Sequence, residues 1–294
     1  MPFQRVLIVA DIEGSSGCWN YAASSFMTTE WAIACAEMTK DVEAVVQALL
    51  RAGVTDIIVK DFHRTGYNLL PERIDRRARV DSGYALGPIP GMGDPGKTQA
   101  VLFLGLHAAS GTDGFLPHTM TSRLAAVRAN GALLSEVALF AALLAPYGIR
   151  PVFFSGCPDA CRQAAAVIPG ISTYSIDKQT GPEGFDAQAW RQGLAQALVT
   201  DLPGRERSVV RVHHHWLGVV VGERVIVAGL DNQVGNLRRC PCWCDAHTVL
   251  PQAEMAEDAL DHSPVIDQRH DAHCSVRWQA RTATLTRYAS AVGW

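Results

Sequence analysis

Three features that would assign this chain of 294 residues to particular protein classes are missing. It has no long run of like charge and a formal net charge of only −3, so nothing suggests nucleic-acid binding. It has no apolar run long enough to span a bilayer, so we expect no membrane insertion. It also lacks the basic start, apolar stretch and cleavage site of a signal peptide, so we expect a cytoplasmic protein.

Two common catalytic motifs are also absent. The chain contains no Gly-x-Ser-x-Gly nucleophile elbow, and Gly91-Met92-Gly93 lacks the strand–turn–helix context of a nucleotide-binding loop. Hydrophobic residues make up 48% of the chain and charged residues 19%, which is typical of a globular protein rather than a disordered one. The eight cysteines are expected to be thiols, because disulfides are rare in the cytoplasm.

Strand and helix patterns alternate over the first 180 residues, which predicts an α/β fold with a mostly parallel sheet flanked by helices. The predicted strands are residues 6–10, 56–59, 101–104 and 152–155. The predicted helices are residues 30–52, 135–145, 159–167 and 186–198. Residues 69–97 contain four prolines and five glycines, so this segment is predicted to be mostly loop and functional.

The pattern changes beyond about residue 203. Short apolar stretches at 209–212, 219–221 and 225–228 predict strands, and the tail from residue 238 is rich in Cys, His and Trp with weak periodicity. We therefore expect a larger α/β domain at 1–203 and a smaller C-terminal α+β domain at 204–294.

Acidic and histidine residues follow the predicted strands. Asp11 and Glu13 come after the first strand, His63 after the second, His107 after the third, and Glu136 opens a helix. Because the carboxyl ends of parallel strands converge on one crevice, we expect these side chains to lie together. Three carboxylates and two imidazoles at one edge would be neutralised by two divalent metals, so the larger domain is predicted to bind them.

Each of these residues also has a plainer interpretation. The Asp-x-Glu pair is typical of a capped loop as well as of a metal site. Asp61 could orient the ring of His63 from behind, or both could simply satisfy a turn. A lone His107 after a strand is more often a core residue, and Glu136 could be a surface acid that complements the helix dipole. The coincidence of all of them at one edge favours the metal site.

The order and context of these residues resemble the D-aminopeptidase family of binuclear zinc peptidases. The resemblance covers roughly residues 6–180 and rests on the stretches 9–14 with Gly17, 61–63 with Asn68-Leu69, 104–108, 117–120, and Glu136. It implies that Asp11 bridges two zinc ions per chain. It further implies that Glu13 and His107 complete the first zinc site, and that His63 and Glu136 complete the second.

The resemblance implies a catalytic role for His118, on the loop 111–118. A histidine on a glycine-flanked loop can move a proton near neutral pH, although attack on the substrate is equally open. The implied reaction is cleavage of amide bonds in small peptides, with a D-amino-acid preference. Family members form ring-like assemblies, so the resemblance also implies a homo-oligomer whose second domain helps to enclose the active site.

The chain departs from the family pattern in two places. Ser135 precedes Glu136 and Val137-Ala138 follow it, where the family often has glycines. After Lys178 the family tends to carry a Ser-Arg pair, whereas this chain has Gln179-Thr180. An arginine there would bind a substrate carboxylate bidentately, so the basis of any preference for the peptide C-terminus is open.

Two other functions stay open at this point. One is a metal-dependent amidohydrolase or amide-processing biosynthetic enzyme with a specialised non-peptide substrate, which the departures from the family pattern keep under consideration. The other is a catalytically silent metal-binding protein. All ligand candidates and His118 are present, which argues against the silent protein.

Other Cys and His groups are expected to be structural. The spacing of Cys240-Pro241-Cys242-Trp243-Cys244, with His247, differs from the two-residue gap of most structural zinc sites, so ordinary thiols are expected. Cys157 and Cys161 lie about one helical turn apart and are expected to pack in the core. The run His213-His214-His215 is also interpreted as structural, because alternation along a strand would send neighbours to opposite faces.

Overall fold

The computed structural model describes residues 3–85, 87–129 and 131–201, and the backbone of two strands at 216–221 and 224–229. The predicted strand at 209–212, the run His213-His214-His215 and the cysteine cluster at 240–244 lie outside the described residues. Among the helices that are described, none combines the length and the apolar character needed to cross a membrane.

The strands and helices of the described chain form an α/β protein, as predicted. The strands are β1 (Arg5–Ala10), β2 (Asp56–Asp61), β3 (Ala78–Asp81), β4 (Ala100–Leu106), β5 (Ala126–Ala129), β6 (Ala132–Leu133), β7 (Arg150–Gly156), β8 (Ser172–Ser175), β9 (Trp216–Val221) and β10 (Arg224–Gly229). The α-helices are α1 (Thr29–Arg51), α2 (Glu136–Leu144), α3 (Pro158–Val167) and α4 (Ala187–Asp201).

A six-stranded parallel sheet forms the centre of the fold, in the order β3-β2-β1-β4-β7-β8. Successive residues of a strand point to opposite faces. On β1, Val6 and Ile8 pack with α1 and α4 on one face, while Leu7 and Val9 pack with α2 and α3 on the other. Both faces of the sheet are therefore covered by helices, which explains why its central strands are continuous apolar runs.

The winding of the sheet reverses between β1 and β4. These strands are neighbours although β2 and β3 lie between them in the chain. In an open parallel sheet, ligands bind in the crevice outside the carboxyl ends of the strands at such a reversal. Asp11 and Glu13 follow β1 and His107 follows β4, so the topology places them at this crevice.

Helix α1 lies within one residue of its predicted limits. Its N-terminus is capped by Thr28, whose hydroxyl accepts a hydrogen bond from Trp31 N at 3.0 Å. Its buried stripe includes Met38, Val45 and Leu49, at the spacing of one helix face. This stripe packs on the sheet and fixes the position of the segment between β1 and α1.

Two edge strands and a hairpin were not predicted. Residues 69–97 are mostly loop, as predicted, but Ala78–Asp81 within this segment forms β3 and pairs with β2. Arg79 and Asp81 interrupt the apolar pattern by which a strand is predicted. An edge strand tolerates such polar residues because they can face solvent. The polar strand β8 at the other edge was missed for the same reason. The short β5–β6 hairpin has no strong apolar alternation.

A second, antiparallel sheet has the order β10-β9-β5-β6. The strands predicted at 219–221 and 225–228 are present as parts of β9 and β10. Since β5 and β6 lie before residue 203, this sheet joins strands from both sides of the predicted domain boundary. The division at residue 203 and the smaller α+β domain stay predictions.

Candidate metal centre

The five acidic and histidine residues predicted as metal ligands are buried and lie together at the crevice. His63 Nδ1 is 3.0 Å from Asp11 Oδ1 and 3.3 Å from Glu13 Oε2. His107 Nε2 is 3.5 Å from Asp11 Oδ2 and 3.4 Å from Glu136 Oε1. Asp11 therefore faces the two histidines with different oxygen atoms.

These contacts define two groups of possible ligands: Asp11, Glu13 and His63, and His107, His118 and Glu136. Within each group the ligand atoms lie within 4.8 Å of one another. The resemblance implied that Glu13 shares a site with His107, whereas in the structure Glu13 lies beside His63. Glu136 likewise lies beside His107. The physical reason is that β2 and β4 flank β1 on opposite sides, so their histidines approach Asp11 from opposite sides.

A close approach of two backbone segments places Asp11 beside His107. Asp11 N donates to Leu104 O at 2.8 Å, and Gly14 N donates to Gly105 O at 2.7 Å. A Cβ on Gly105 would lie 2.2 Å from Asp11 O, and Gly105 has φ +74°, so only glycine fits here without displacing the loop. A glycine near the end of an apolar strand is the signal in the sequence that indicates such a close approach.

A backbone carbonyl orients the ring of His63. Ser24 O accepts a hydrogen bond from His63 Nε2 at 2.8 Å, which turns Nδ1 toward Asp11. Asp61 does not make this contact. It accepts hydrogen bonds from Asn68 N at 2.6 Å and Asn68 Nδ2 at 2.9 Å, so the plainer interpretation of Asp61, satisfaction of a turn, is correct. Ser24 was missed because a carbonyl contact from 39 positions away leaves no pattern in the sequence.

His118 lies against the second ligand group. Its ring stacks on the ring of His107, with centroids 3.6 Å apart and planes 13° from parallel. Its Nδ1 donates to Leu116 O at 3.0 Å, as His107 Nδ1 does to Ala108 O. His118 is partly exposed and also lines a cavity, so it can face either a metal or a substrate.

Burial and mutual contact strongly perturb the ionisation of these groups. Burial, reinforced by Glu13, raises the pKa of Asp11 to about 7. Burial opposes charge on His107, yet its contact with Glu136 outweighs this effect and raises the pKa of His107 to about 10. Burial and the neighbouring His107 lower the pKa of His118. Metal ligands bind in their deprotonated forms, so metals here would take the place of protons shared among these groups.

The residues present fit a pair of divalent cations. Among the described residues, Glu13 Oε2, Glu136 Oε2 and His107 Nε2 are buried and have no hydrogen-bond partner. Such atoms are rare in folded proteins and call for an explanation, of which a bound ion is one. Carboxylate oxygens and imidazole nitrogens are the donor atoms that Zn²⁺ takes in catalytic sites.

A buried lysine holds the loop that follows β1. Lys178 Nζ donates to the backbone carbonyls of Ser15 and Cys18, the latter at 2.7 Å. It also lies 4.5 Å from the ring centroid of Trp19 and 5.4 Å from that of Phe115. Burial lowers its pKa to about 8. Lys178 thus connects the segment after β8 to the loop after β1 and to the segment after β4. No short sequence motif predicts this role.

A cavity of about 440 Å³ opens above the first ligand group. This volume lies within the usual range for small-molecule sites. Its walls come from four segments of the chain: Asp11 and Glu13, Tyr21 and Ser24, His63 and Arg64, and Leu116, Pro117, His118, Thr121, Ser122 and Arg123. The cavity therefore brings possible metal ligands, His118 and two arginines to one space.

Comparison with known proteins identifies the family. A sequence model of the D-aminopeptidase family matches residues 4–198, a range that contains the five predicted ligands and His118. This chain belongs to the D-aminopeptidase family.

Two D-aminopeptidases show how far the similarity extends. The D-aminopeptidase of Bacillus subtilis (strain 168) is 27% identical over 145 residues, which are 49% of this chain and 52% of the relative. The matched part thus spans about half the length of that relative. The solved structure described as a Zn-dependent D-aminopeptidase, DppA from Bacillus subtilis, a self-compartmentalizing protease, has a TM-score of 0.66 and 20% identity. The match covers 73% of this chain and 80% of the chain in that structure, which shows a shared fold.

Proposed function

We propose that this protein is a binuclear zinc-dependent hydrolase that cleaves amide bonds of small peptides at a free amino terminus, with a preference for D-amino acids. The observation that carries this proposal is the position of Asp11, a single carboxylate that faces two groups of ligands at a cavity. Two neighbouring divalent ions polarise a carbonyl and generate a nucleophile from water at neutral pH, which is the chemistry that amide hydrolysis needs.

In the proposed site Asp11 would serve both metal positions. Glu13 and His63 would complete one position, and His107 and Glu136 would complete the other. The hydrogen bond from His63 to the Ser24 carbonyl fixes the ring and its tautomer, and the bond from His107 to the Ala108 carbonyl does the same.

His118 supplies the proton transfer in this proposal. It lines the same cavity as Asp11 and Glu13, so a bound amide would lie within its reach. Its lowered pKa leaves it neutral near pH 7, ready to accept a proton and pass it to the leaving amine. Its Nδ1 is held by Leu116 O, so Nε2 is the atom that exchanges the proton.

No specific observation favours the alternative of a specialised non-peptide substrate. The departures from the family pattern beside Glu136 concern Ser135 and Val137, which are both buried. Val137 packs in the core with α3, and neither residue lines the described cavity. These two residues therefore do not contact a ligand in the described cavity.

Metal analysis and a substrate screen test the proposed function together. We expect about two zinc ions per chain by elemental analysis, hydrolysis of D-aminoacyl amides in preference to L-aminoacyl amides, loss of turnover on chelation, and recovery on adding zinc. The physical reason is that both ligand groups must be filled for the shared carboxylate to serve two ions.

Each part of that test has its own contrary result. Turnover that survives complete removal of metal would rule out the metal-dependent mechanism. A zinc-loaded protein that hydrolyses neither D- nor L-aminoacyl amides but cleaves another amide would favour the specialised amidohydrolase. A zinc-loaded protein that cleaves no amide at all would support the silent metal-binding protein.

We also propose that the protein is a homo-oligomer. Four large apolar side chains on the segment 21–33 are exposed, by 47% to 79%: Tyr21, Phe26, Met27 and Ile33. Clustered exposed apolar groups mark interaction surfaces. Tyr21 also lines the cavity, so a second copy packed on this segment would restrict access to the site.

A double variant tests this surface. We expect the wild-type protein to run as an oligomer at micromolar concentration by light scattering. Met27→Asp with Ile33→Asp should shift it to smaller species, because two buried charges oppose the contact. The control is Gln192→Asp with Gln196→Asp, which adds the same charge to exposed positions of α4 and should leave the mass unchanged. A wild-type monomer would contradict the proposal. An unchanged oligomer in the double variant would show that the segment 21–33 is not the contact between copies.

We propose a cytoplasmic location because the described cysteines are free thiols. The four in the fully described part of the chain, Cys18, Cys35, Cys157 and Cys161, are buried free thiols. Thiols persist in the reducing cytoplasm, whereas secreted proteins tend to use their cysteines in disulfides. Cys157 and Cys161 pack in the core, as predicted.

A further inference from the structure

Two arginines share the wall of the cavity with the possible metal ligands. Arg64 directly follows His63, and Arg123 lies on the turn between the His118 segment and β5. In the part of the chain that the structure describes fully, neither side chain forms an ion pair with an acid. Arginines that line a cavity without an acidic partner are suited to bind an anionic group of a ligand.

Arg64 is held in place rather than free. Its Nε donates to Ser24 O at 3.0 Å, the same carbonyl that accepts from His63 Nε2 at 2.8 Å. One backbone oxygen therefore positions both a possible metal ligand and a possible anion-binding group. The remaining N–H groups of the Arg64 guanidinium make no hydrogen bond to a described residue and stay available to a ligand.

The backbone around the cavity supports a binding role for this wall. Arg64 has φ +50° and Leu116 has φ +43°, a left-handed conformation that is unfavourable for side chains with a Cβ. Both residues line the cavity. Unfavourable backbone conformations concentrate at functional sites, where the surrounding structure holds them.

The charge of the cavity also selects for an anion. If two divalent cations bind as proposed, the three carboxylates of Asp11, Glu13 and Glu136 would leave part of their charge unbalanced. The two arginines add further positive charge to the same space, although the chain as a whole carries a formal net charge of −3. A substrate with a negative group would therefore bind better than its neutral analogue.

We propose that Arg123 and Arg64 bind the free α-carboxylate of a short peptide, so that the enzyme acts on dipeptides and tripeptides with an unblocked C-terminus. This rests on the proposed aminopeptidase function, which places the amino end of the peptide at the metals. A dipeptide spans roughly 7 Å when extended, so its two charged ends can be read within one cavity of this size.

Matched substrates test the proposal on the zinc-loaded protein. We expect kcat/KM for a dipeptide of the preferred configuration to exceed that for its C-terminal amide by about tenfold or more, the scale of a charge-assisted hydrogen bond. Arg123→Gln should reduce this ratio toward one, chiefly by raising KM for the free dipeptide, because ground-state binding is lost. Arg76→Gln is the matched control, since Arg76 is exposed and does not line the cavity.

Binding without turnover gives a second readout. A dipeptide analogue with a CH2–NH group in place of the amide should bind the zinc-loaded wild type more tightly than its C-terminal amide by calorimetry. Arg123→Gln should weaken that binding about tenfold, and Arg64→Lys, which keeps the charge, should weaken it less. Zinc content measured on each variant separates loss of the anion contact from disturbance of His63.

The outcomes distinguish this inference from the proposed function. If dipeptide and amide are both hydrolysed at equal kcat/KM, the carboxylate assignment is wrong and the aminopeptidase function stands. If neither is hydrolysed, the aminopeptidase function itself fails. If an amidated peptide with an acidic side chain regains the preference in an Arg123-dependent manner, the arginines read a side chain, and the α-carboxylate assignment is overturned.

Discussion

Asp11→Ala is expected to lose both bound metals, whereas His107→Ala should mainly weaken one. Asp11 presents Oδ1 to His63 Nδ1 at 3.0 Å and Oδ2 to His107 Nε2 at 3.5 Å, so it belongs to both ligand groups. Removal of one carboxylate deprives each position of a ligand, while loss of His107 leaves the Asp11, Glu13 and His63 group complete. Elemental analysis after exhaustive dialysis measures the metal content directly.

The fold of the Asp11→Ala variant must be shown to persist. The Asp11 carboxyl is buried, which raises its pKa, and removing it alters a packed site. Far-UV circular dichroism and a thermal unfolding curve in zinc-free buffer serve this purpose. Glu72→Ala removes an exposed acid that does not line the cavity and should retain about two metals. A single tightly held metal that is indifferent to Asp11→Ala would disprove the shared carboxylate.

The sheet and the position of the site could be predicted because a few local signals carry most of the information. β1, β2, β4 and β7 each contain an uninterrupted apolar stretch, and their predicted limits lie within two residues of the observed ones. Polar groups directly after buried strands must lie at the carboxyl edge, and the structure brings Asp11, His63 and His107 together there. The rule needs no knowledge of strand order.

The division of ligands between two positions could not be predicted from the chain, because it depends on that order. Only the placement of β2 and β4 on opposite sides of β1 tells which histidine approaches which carboxylate. The supports of the site were missed for a similar reason. Lys178 contacts Ser15 from 163 positions away, and nothing local in either segment indicates the contact. Edge strands such as β3 were missed because their polar residues break the apolar pattern.

The strongest separation of enzyme from binding protein is expected at His118. His118→Ala should keep the metals and the fold yet lose roughly two or more decades of kcat, the usual scale for a general acid/base. The metals leave one requirement of amide cleavage unmet, since the departing amine must gain a proton. His118 is the one histidine of the fully described part of the chain that lines the cavity without belonging to the predicted ligand set.

Because His118 stacks on His107, the zinc content of the His118→Ala variant is the measurement that separates the two possible roles of His118. His118 also lies within 4.8 Å of ligand atoms of His107 and Glu136, so a metal-binding role predicts a different result for the same variant. If His118→Ala loses zinc, His118 is a ligand and the proton donor must be sought elsewhere. If zinc is retained and turnover is unchanged, the catalytic assignment is wrong. Retained zinc, lost turnover and partial recovery on adding imidazole to the buffer would identify proton transfer as the missing function, because a free imidazole can enter the emptied cavity wall and replace the side chain that was removed.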